Sequence, residues 1–230
     1  ILADAAAGTT ALIDKLQGVN ARRESRGDEM AVLKGAFDKK FRQAVGPQVA
    51  LLDAIRNALP DDGIFVEELT QIGYVSRFAF AAYGPRTFLS SGYQGTLGWG
   101  LATALGAKIA MPDRKVVSIA GDGGFMFNVQ ELATAVKHKI AVTIVVLNDN
   151  AFGNVKRMQQ ENYAGRTIAS DLANPDFVAL AEAFGARGMR VNSPDALGRA
   201  LAASFEIEDG PCVIEVPCGE FPSPWGLIAL

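Results

Sequence analysis

The chain has 230 residues, of which 49% are hydrophobic and 20% are charged, so it can bury a sizeable core and is neither disordered nor a coiled coil. The 22 Lys and Arg residues are outnumbered by 25 Asp and Glu residues, and this net charge of −3 gives no basic excess for binding a phosphate backbone. The longest apolar run, Ile140 to Leu147, is far shorter than the roughly 20 residues of a membrane-spanning helix. Nucleic acid and membrane are therefore not expected partners.

The cysteines and the first residue indicate the setting of the chain. Cys212 and Cys218 do not form a CxxC pair, and we interpret them as small buried side chains near a strand, which fits a reducing, cytoplasmic setting. The chain starts at Ile1, without the basic start of a signal peptide, so we expect it to be part of a longer product.

A change in character near Gly46 predicts the domain organisation. Residues 1–45 have small and charged residues with a helical apolar pattern, and we interpret them as a tail and linker. From Gly46 onward Pro47 can begin a helix, and a domain is predicted over residues 46–218, followed by a C-terminal tail over residues 219–230.

Six short apolar runs, each ending in a loop, predict the strands. Two of them, VVSIA and VTIVVL, lack polar alternation, as is typical of parallel strands that are covered on both faces. The predicted fold is α/β and doubly wound, with a mainly parallel sheet of about six strands and right-handed helical crossovers on both faces. In such a sheet ligands bind beyond the carboxyl ends of the strands. The predicted strands are Ile64 to Val66, Thr87 to Leu89, Val116 to Ala120, Val142 to Leu147, Met189 to Val191 and Cys212 to Val216.

Two of the loops that follow these strands carry candidate binding residues. Gly121-Asp122-Gly123-Gly124 precedes a helical stretch, Asn128 to His138, and its glycines allow a ligand to approach the backbone closely. Asn148-Asp149-Asn150 follows the next strand, and its oxygens, together with Asp122, would suit Mg²⁺ or Ca²⁺. Taken singly, the first loop is equally an ordinary turn with Asp122 as a helix cap, and the second is a good turn sequence.

Taken together, the two loops resemble a known motif. GDGG at 121–124, followed after a helix and a strand by LNDNAFG at 147–153, resembles the thiamine diphosphate motif, GDG and then NN. Over roughly residues 46–218 the chain looks like the cofactor-binding C-terminal domain of the acetolactate synthase, pyruvate oxidase and benzoylformate decarboxylase group. The resemblance implies thiamine diphosphate and Mg²⁺ as cofactors, and decarboxylation or carboligation of a small 2-oxo acid. FAD, possible in the full-length enzyme, is not expected in this domain.

The resemblance also implies a metal site. Asp122 and Asp149 would be side-chain ligands, and Ala151 would offer its backbone carbonyl. Asp149 stands where the family usually has Asn, and this extra carboxylate adds negative charge around one cation. The remaining residues that these two loops would contribute to cofactor binding are Gly121, Gly123, Gly124, Phe152 and Gly153.

Two upstream loops match the family at further positions. The Gly95 carbonyl would accept a hydrogen bond from the aminopyrimidine, and Leu97 would lie beneath the cofactor and enforce its bent shape, so both are placed in the catalytic machinery by resemblance. Without the family, Leu97 would be interpreted as ordinary core. Thr70 and Gln71 align with contacts to the diphosphate.

The resemblance finally implies a partner. A glutamate that pairs with the pyrimidine would come from a pyrimidine-binding domain, expected on another subunit of a homo-oligomer, and residues 1–45 would end a preceding middle domain. Met158 stands where acetolactate synthases usually have a Trp that shapes the acceptor pocket, which leaves the substrate open. The alternative is a non-catalytic α/β interaction module that has lost the cofactor. No GxGxxG opens a helix, and the single histidine, His138, argues against a Ser-His-Asp hydrolase.

Overall fold

A computed structural model describes residues 2–19 and 24–228. Its six strands are all parallel, in the order β2-β1-β3-β4-β6-β5. All six predicted strands are confirmed, with ends shifted by one or two residues, and so is the doubly wound α/β fold. The strands are β1 Ile64–Glu67, β2 Phe88–Ser90, β3 Val116–Gly121, β4 Thr143–Asn148, β5 Arg187–Arg190 and β6 Cys212–Pro217.

Helices connect the strands and precede the first of them. None of the helices formed by the described residues is long and apolar enough to cross a membrane. The helices are α1 Ala5–Leu16, α2 Gly27–Ala58, α3 Gly73–Ala79, α4 Trp99–Ala110, α5 Asp122–Phe127, α6 Glu131–Lys137, α7 Gly153–Asn162, α8 Phe177–Ala183, α9 Pro194–Phe205 and α10 Trp225–Ile228.

The chain divides into two compact units, residues 1–39 and residues 40–230. The first unit contains α1, in which Asp4 accepts hydrogen bonds at the N-terminus and no residue is buried. The second unit contains the whole sheet. Within α2 the backbone leaves helical geometry at Val45, with φ −134° and ψ 38°, so a new helical segment starts next to Pro47, where the sequence predicts a helix start.

Apolar side chains cover both faces of the sheet. Along β1, Phe65 belongs to one core cluster and Val66 to the other, and along β4 the same alternation separates Val145 from Ile144. Helices α2 and α9 contribute to the first cluster, whereas α4, α6 and α8 contribute to the second. Because both faces are buried, these strands have no polar alternation.

The turn after β3 is tighter than the sequence predicts. The expected helix over Asn128 to His138 is found as α6, but an additional short helix, α5, begins at Asp122, directly after the strand. Residues 128–130 separate the two helices. The glycines at 123 and 124 make this possible, because they let α5 pack closely against neighbouring side chains.

A substitution of one fully buried strand residue tests how much the core stabilises the second unit. Ile119 in β3 is fully buried, and we expect Ile119→Ala to lower the free energy of unfolding by about 2–5 kcal/mol through lost burial and a cavity. Ile109 is 66% exposed, so the control Ile109→Ala should change it by less than about 0.5 kcal/mol. Urea unfolding of the three proteins measures both effects, and equal losses would contradict this account of the core.

Candidate cofactor site

The carboxyl ends of β1, β3 and β4 border a cavity of about 240 Å³. Every residue that the resemblance assigns to the cofactor lines this cavity, although these residues come from four separate stretches of the chain. Their binding roles stay predictions. They are Thr70, Gln71, Gly95, Leu97, Gly121, Asp122, Gly123, Gly124, Asp149, Ala151, Phe152 and Gly153.

Asp122 is held by hydrogen bonds at the first residue of α5. Its side chain is buried, with Oδ1 accepting from the Gly123 N–H at 2.8 Å and Oδ2 accepting from Asn174 Nδ2 at 2.6 Å. Burial raises the pKa of this carboxyl above its usual range, and the hydrogen bonds from Gly123 and Asn174 oppose that shift. Asp122 therefore bonds to the first turn of its helix and also to a distant loop.

Asp149 faces the same cavity from the loop after β4. Its Oδ2 accepts from Gln71 Nε2 at 2.6 Å, and its Oδ1 accepts from the Ala151 N–H at 3.2 Å. Burial, and next the nearby charge of Asp122, raise the pKa of Asp149 to about 6. Burial and the charge of Asp122 thus both disfavour the charged form of Asp149.

Asn174 is a member of this site that the sequence analysis missed. Besides Asp122, its Nδ2 contacts the Oδ1 atom of Asn148 at 2.9 Å, and Asn148 in turn donates to Glu215 at 2.8 Å. An antiparallel bridge between Ala151 and Asp171 pairs the segment that precedes Asn174 with the loop that contains Asp149. A single Asn in a loop carries no periodic signal, so the sequence alone gave no means of finding it.

The opposite wall of the cavity contains the residues that the resemblance assigns to the cofactor's diphosphate, Thr70 and Gln71, and to its rings, Gly95 and Leu97. Thr70 is buried, and Gln71 and Leu97 are half-buried. Gly95 is packed closely, because a Cβ at this position would lie 2.2 Å from Leu69 Cδ1. The close approach holds the Gly95 backbone next to the loop that carries Thr70.

Two buried glutamates follow one another at the end of β1, Glu67 as its last residue and Glu68 directly after it. The Glu67 carboxylate forms an ion pair with Arg77 at 3.2 Å. The Glu68 carboxylate accepts from the Gly98 and Gly100 N–H groups, at 2.8 and 2.9 Å, at the start of α4. Burial raises the pKa of both carboxyls, and these partners oppose the shift in each case.

The C-terminal segment, residues 219–227, closes one side of the cavity. Gln48 donates to the Pro222 carbonyl at 2.7 Å, and the Phe221 N–H donates to Gln71 Oε1 at 2.7 Å. Pro222 and Trp225 line the cavity, so the Pro-Ser-Pro-Trp sequence packs against the site.

Two residues of α7 define the same side. Asn154 accepts a hydrogen bond from Trp225 Nε1 at 3.2 Å, and Arg157 pairs with Glu220 at 2.9 Å. Met158 is 51% exposed and is not among the residues that line the cavity. The α7 side chains in the cavity wall are Asn154, Val155 and Arg157.

The residues present fit a divalent cation and an anionic group. Two carboxylates and a backbone carbonyl are hard oxygen donors of the kind that Mg²⁺ takes, and it commonly joins such donors to phosphates. Within residues 2–19 and 24–228, no group of three or more His, Cys, Asp or Glu residues could hold a metal, so a His- or Cys-rich centre is not found there. The glycines at 121, 123 and 124 line the cavity.

This combination defines a class: a parallel α/β domain with an acidic, glycine-lined cofactor cavity beyond the carboxyl ends of its strands. The sequence matches the family described as thiamine pyrophosphate enzyme, C-terminal TPP binding domain, over residues 71–216. The match covers more than half of the chain. The chain belongs to this family, which confirms the resemblance.

Several known proteins are similar to the chain. It is 39% identical over 177 residues to the acetolactate synthase large subunit of Parasynechococcus marenigrum (strain WH8102), covering 75% of this chain and 28% of that protein. It is 41% identical over 171 residues to the acetolactate synthase of Bacillus subtilis (strain 168), covering 73% and 29%. The chain thus spans less than a third of these relatives.

A solved structure shows the same fold. The thiamine diphosphate-dependent 4-hydroxybenzoylformate decarboxylase of Rhodococcus jostii RHA1 is 31% identical, with a TM-score of 0.69 over 76% of this chain and 33% of that protein.

Glycine 123 gives a direct test of the packing around the acidic residues. A Cβ at Gly123 would lie 2.4 Å from Phe152 Cε1, so we expect Gly123→Ala to destabilise the protein by about 1–3 kcal/mol through overpacking. Gly106 in α4 has nothing within 4 Å of such a Cβ, and Gly106→Ala should stabilise by about 0.5–1 kcal/mol. Thermal unfolding followed by circular dichroism compares the two variants with the unaltered chain. We expect Gly123→Ala to lower the unfolding temperature and Gly106→Ala to raise it.

Proposed function

We propose that this chain binds Mg²⁺ and thiamine diphosphate and supplies the diphosphate and metal half of an acetolactate synthase-like active site. The observation that carries the proposal is the convergence of Asp122 and Asp149 on one glycine-lined cavity, in a chain of the thiamine pyrophosphate enzyme family. The names of its relatives support decarboxylation and carboligation of small 2-oxo acids as the reaction.

The proposed metal ligands are Asp122, Asp149 and the carbonyl of Ala151. Gln71 and Asn174 each donate to one oxygen of these carboxylates, and a carboxylate oxygen that accepts one hydrogen bond retains a second lone pair for a cation. The amides therefore fix the direction of the ligands. Burial, and next the charge of Asp122, raise the pKa of Asp149, and a bound cation would favour its charged form.

The remaining lining residues would hold the organic cofactor. Gly121, Gly123 and Gly124 would face its diphosphate, Thr70 would contact it from the opposite wall, and Gly95 and Leu97 would orient the rings. When bound, thiamine diphosphate supplies the electron sink for the loss of CO₂ from a 2-oxo acid. The protein's contribution is to bind, to orient and to exclude water.

A pyrimidine-binding domain is the proposed partner. The chain spans 28% and 29% of the two acetolactate synthases that it resembles, so most of their length has no counterpart here. We place the glutamate that pairs with the pyrimidine in that other part, on a second subunit. A cytoplasmic homo-oligomer is the proposed setting.

The metal assignment can be tested by titrating the chain with thiamine diphosphate in the presence of Mg²⁺ and following the tryptophan fluorescence, because Trp225, one of the two tryptophans, lies in the cavity wall. Asp122→Ala should weaken binding by more than the roughly 10- to 100-fold expected for a residue that only supports a ligand. Asp149→Ala should also weaken binding, whereas Asp149→Asn should be tolerated because an amide oxygen still coordinates.

The control for this titration is Asp113→Asn, which changes an exposed carboxylate outside the cavity and should leave the affinity unaltered. Wild-type affinity in both Asp122→Ala and Asp149→Ala would show that the metal site is wrongly assigned. Failure of the unaltered chain to bind at millimolar cofactor would favour the alternative, a non-catalytic interaction module.

The 230-residue chain alone should not consume pyruvate at a useful rate with Mg²⁺ and thiamine diphosphate. The missing acid–base partner is the physical reason, since a positioned general acid or base typically contributes about 10²- to 10⁴-fold. Adding a polypeptide that contains the pyrimidine-binding domain should restore turnover. Robust pyruvate consumption with no other polypeptide present would contradict the proposal that the chain supplies half of the site.

A further inference from the structure

Glu68 is a fully buried carboxylate that binds backbone rather than a cation. Its two oxygens accept from the Gly98 and Gly100 N–H groups at 2.8 and 2.9 Å, at the N-terminus of the 12-residue helix α4. Free N–H groups and the helix dipole at this end stabilise a negative charge. The neighbouring Glu67, equally buried, instead takes the ion pair with Arg77.

The Glu68 carboxylate lies close to the backbone of both α4 and α5. A Cβ at Gly124 would lie 2.1 Å from Glu68 Oε1, so α5 reaches this carboxylate only because residue 124 is glycine. A Cβ at Gly100 would lie 2.6 Å from Glu68 Oε2, which shows that α4 approaches it just as closely. Gly98 has φ +84° and is fixed a second time, because Asn128 donates to its carbonyl at 2.6 Å.

The loop that Glu68 fixes is short and exposed except at its end. Leu97 directly precedes Gly98, and Gly95 lies two residues earlier, so both are carried by the backbone that the carboxylate holds. Residues 92–96 are exposed, and within them Gly95 packs closely against Leu69. The Glu68 carboxylate thus lies between the end of this loop and the GDGG turn, accepting from the Gly98 N–H and lying close to Gly124.

We propose that Glu68 is a positioning residue that holds Gly95 and Leu97 at the correct distance from the GDGG turn and thereby sets the affinity for thiamine diphosphate. This inference rests on the proposed function, because the loop is assigned to the cofactor there. Glu68 does not line the cavity, so its effect is exerted through the backbone N–H groups of Gly98 and Gly100.

The test compares Glu68→Gln with Glu67→Gln in the full 230-residue chain. Glutamine keeps the shape, but its NH₂ group cannot accept from the second N–H and faces it as a donor. Glu68→Gln should weaken the binding of thiamine diphosphate in saturating Mg²⁺ by about 10- to 100-fold, the range typical of a residue that orients binding groups. Glu67→Gln should lower the urea midpoint at least as much and change the affinity by less than about twofold, because Glu67 pairs with Arg77 and not with the backbone next to Leu97.

A second variant displaces the carboxylate without altering it. Gly100→Ala places a methyl group against Glu68 Oε2 and Ser118 Oγ, and it should reproduce the loss of affinity. Gly106→Ala in the same helix is its matched control and should bind normally. If Glu68→Gln does not fold, the affinities of Gly100→Ala and Gly106→Ala still test the positioning role of Glu68.

The outcomes separate the two proposals. If the unaltered chain fails to bind the cofactor, the proposed function is wrong and the positioning role falls with it. If the unaltered chain binds and both Glu68→Gln and Gly100→Ala bind within about twofold of it, Glu68 is only a structural cap and the positioning role is overturned, while the proposed function stands.

Discussion

The parallel pairing of β3 with β4 is the interaction on which the site depends. In this register Gly121 lies opposite Leu147, so the next residues of both strands leave the sheet at the same edge. Asp122 and Asp149 consequently meet in one cavity. A shift of one residue would turn every side chain of a strand to the opposite face, and the apolar clusters on both faces of the sheet oppose such a shift.

The meeting of two carboxylates creates an electrostatic problem that the rest of the site addresses. Neutral amide groups, from Gln71 and Asn174, donate to one carboxylate each and so restrain the geometry without removing the negative charge. Burial, and next the charge of Asp122, still raise the pKa of Asp149. Because Gln71 also binds the backbone of the C-terminal segment, the conformation of that segment is linked to the acidic pair through one side chain.

The sequence predicts the fold well and the site in part, for reasons that differ by residue. Buried parallel strands are continuous apolar runs, so the sequence predicts all six strands. The motif residues lie directly after these strands, so the sequence also places them in loops. The sequence does not predict Asn174 or Gln48 as site residues, because each is a single polar residue whose partner is distant in sequence. Asn174 donates to Asp122, 52 residues away, and Gln48 donates to Pro222, 174 residues away. The sequence does not predict the start of α5 at Asp122, because a glycine-rich turn has low helix propensity. Tertiary packing overrides that propensity here.

The glycines of the site have a role within the protein as well as toward a ligand. Gly123 receives the ring of Phe152 and Gly124 receives the carboxylate of Glu68, so each marks a place where two loops touch. Gly153 acts in the same way, since a Cβ there would lie 2.5 Å from Asp149 Oδ2. The Asp149 carboxylate is therefore accommodated by glycine at the start of the next helix. The motif thus specifies the spacing between loops, and the position of the acidic pair follows from that spacing.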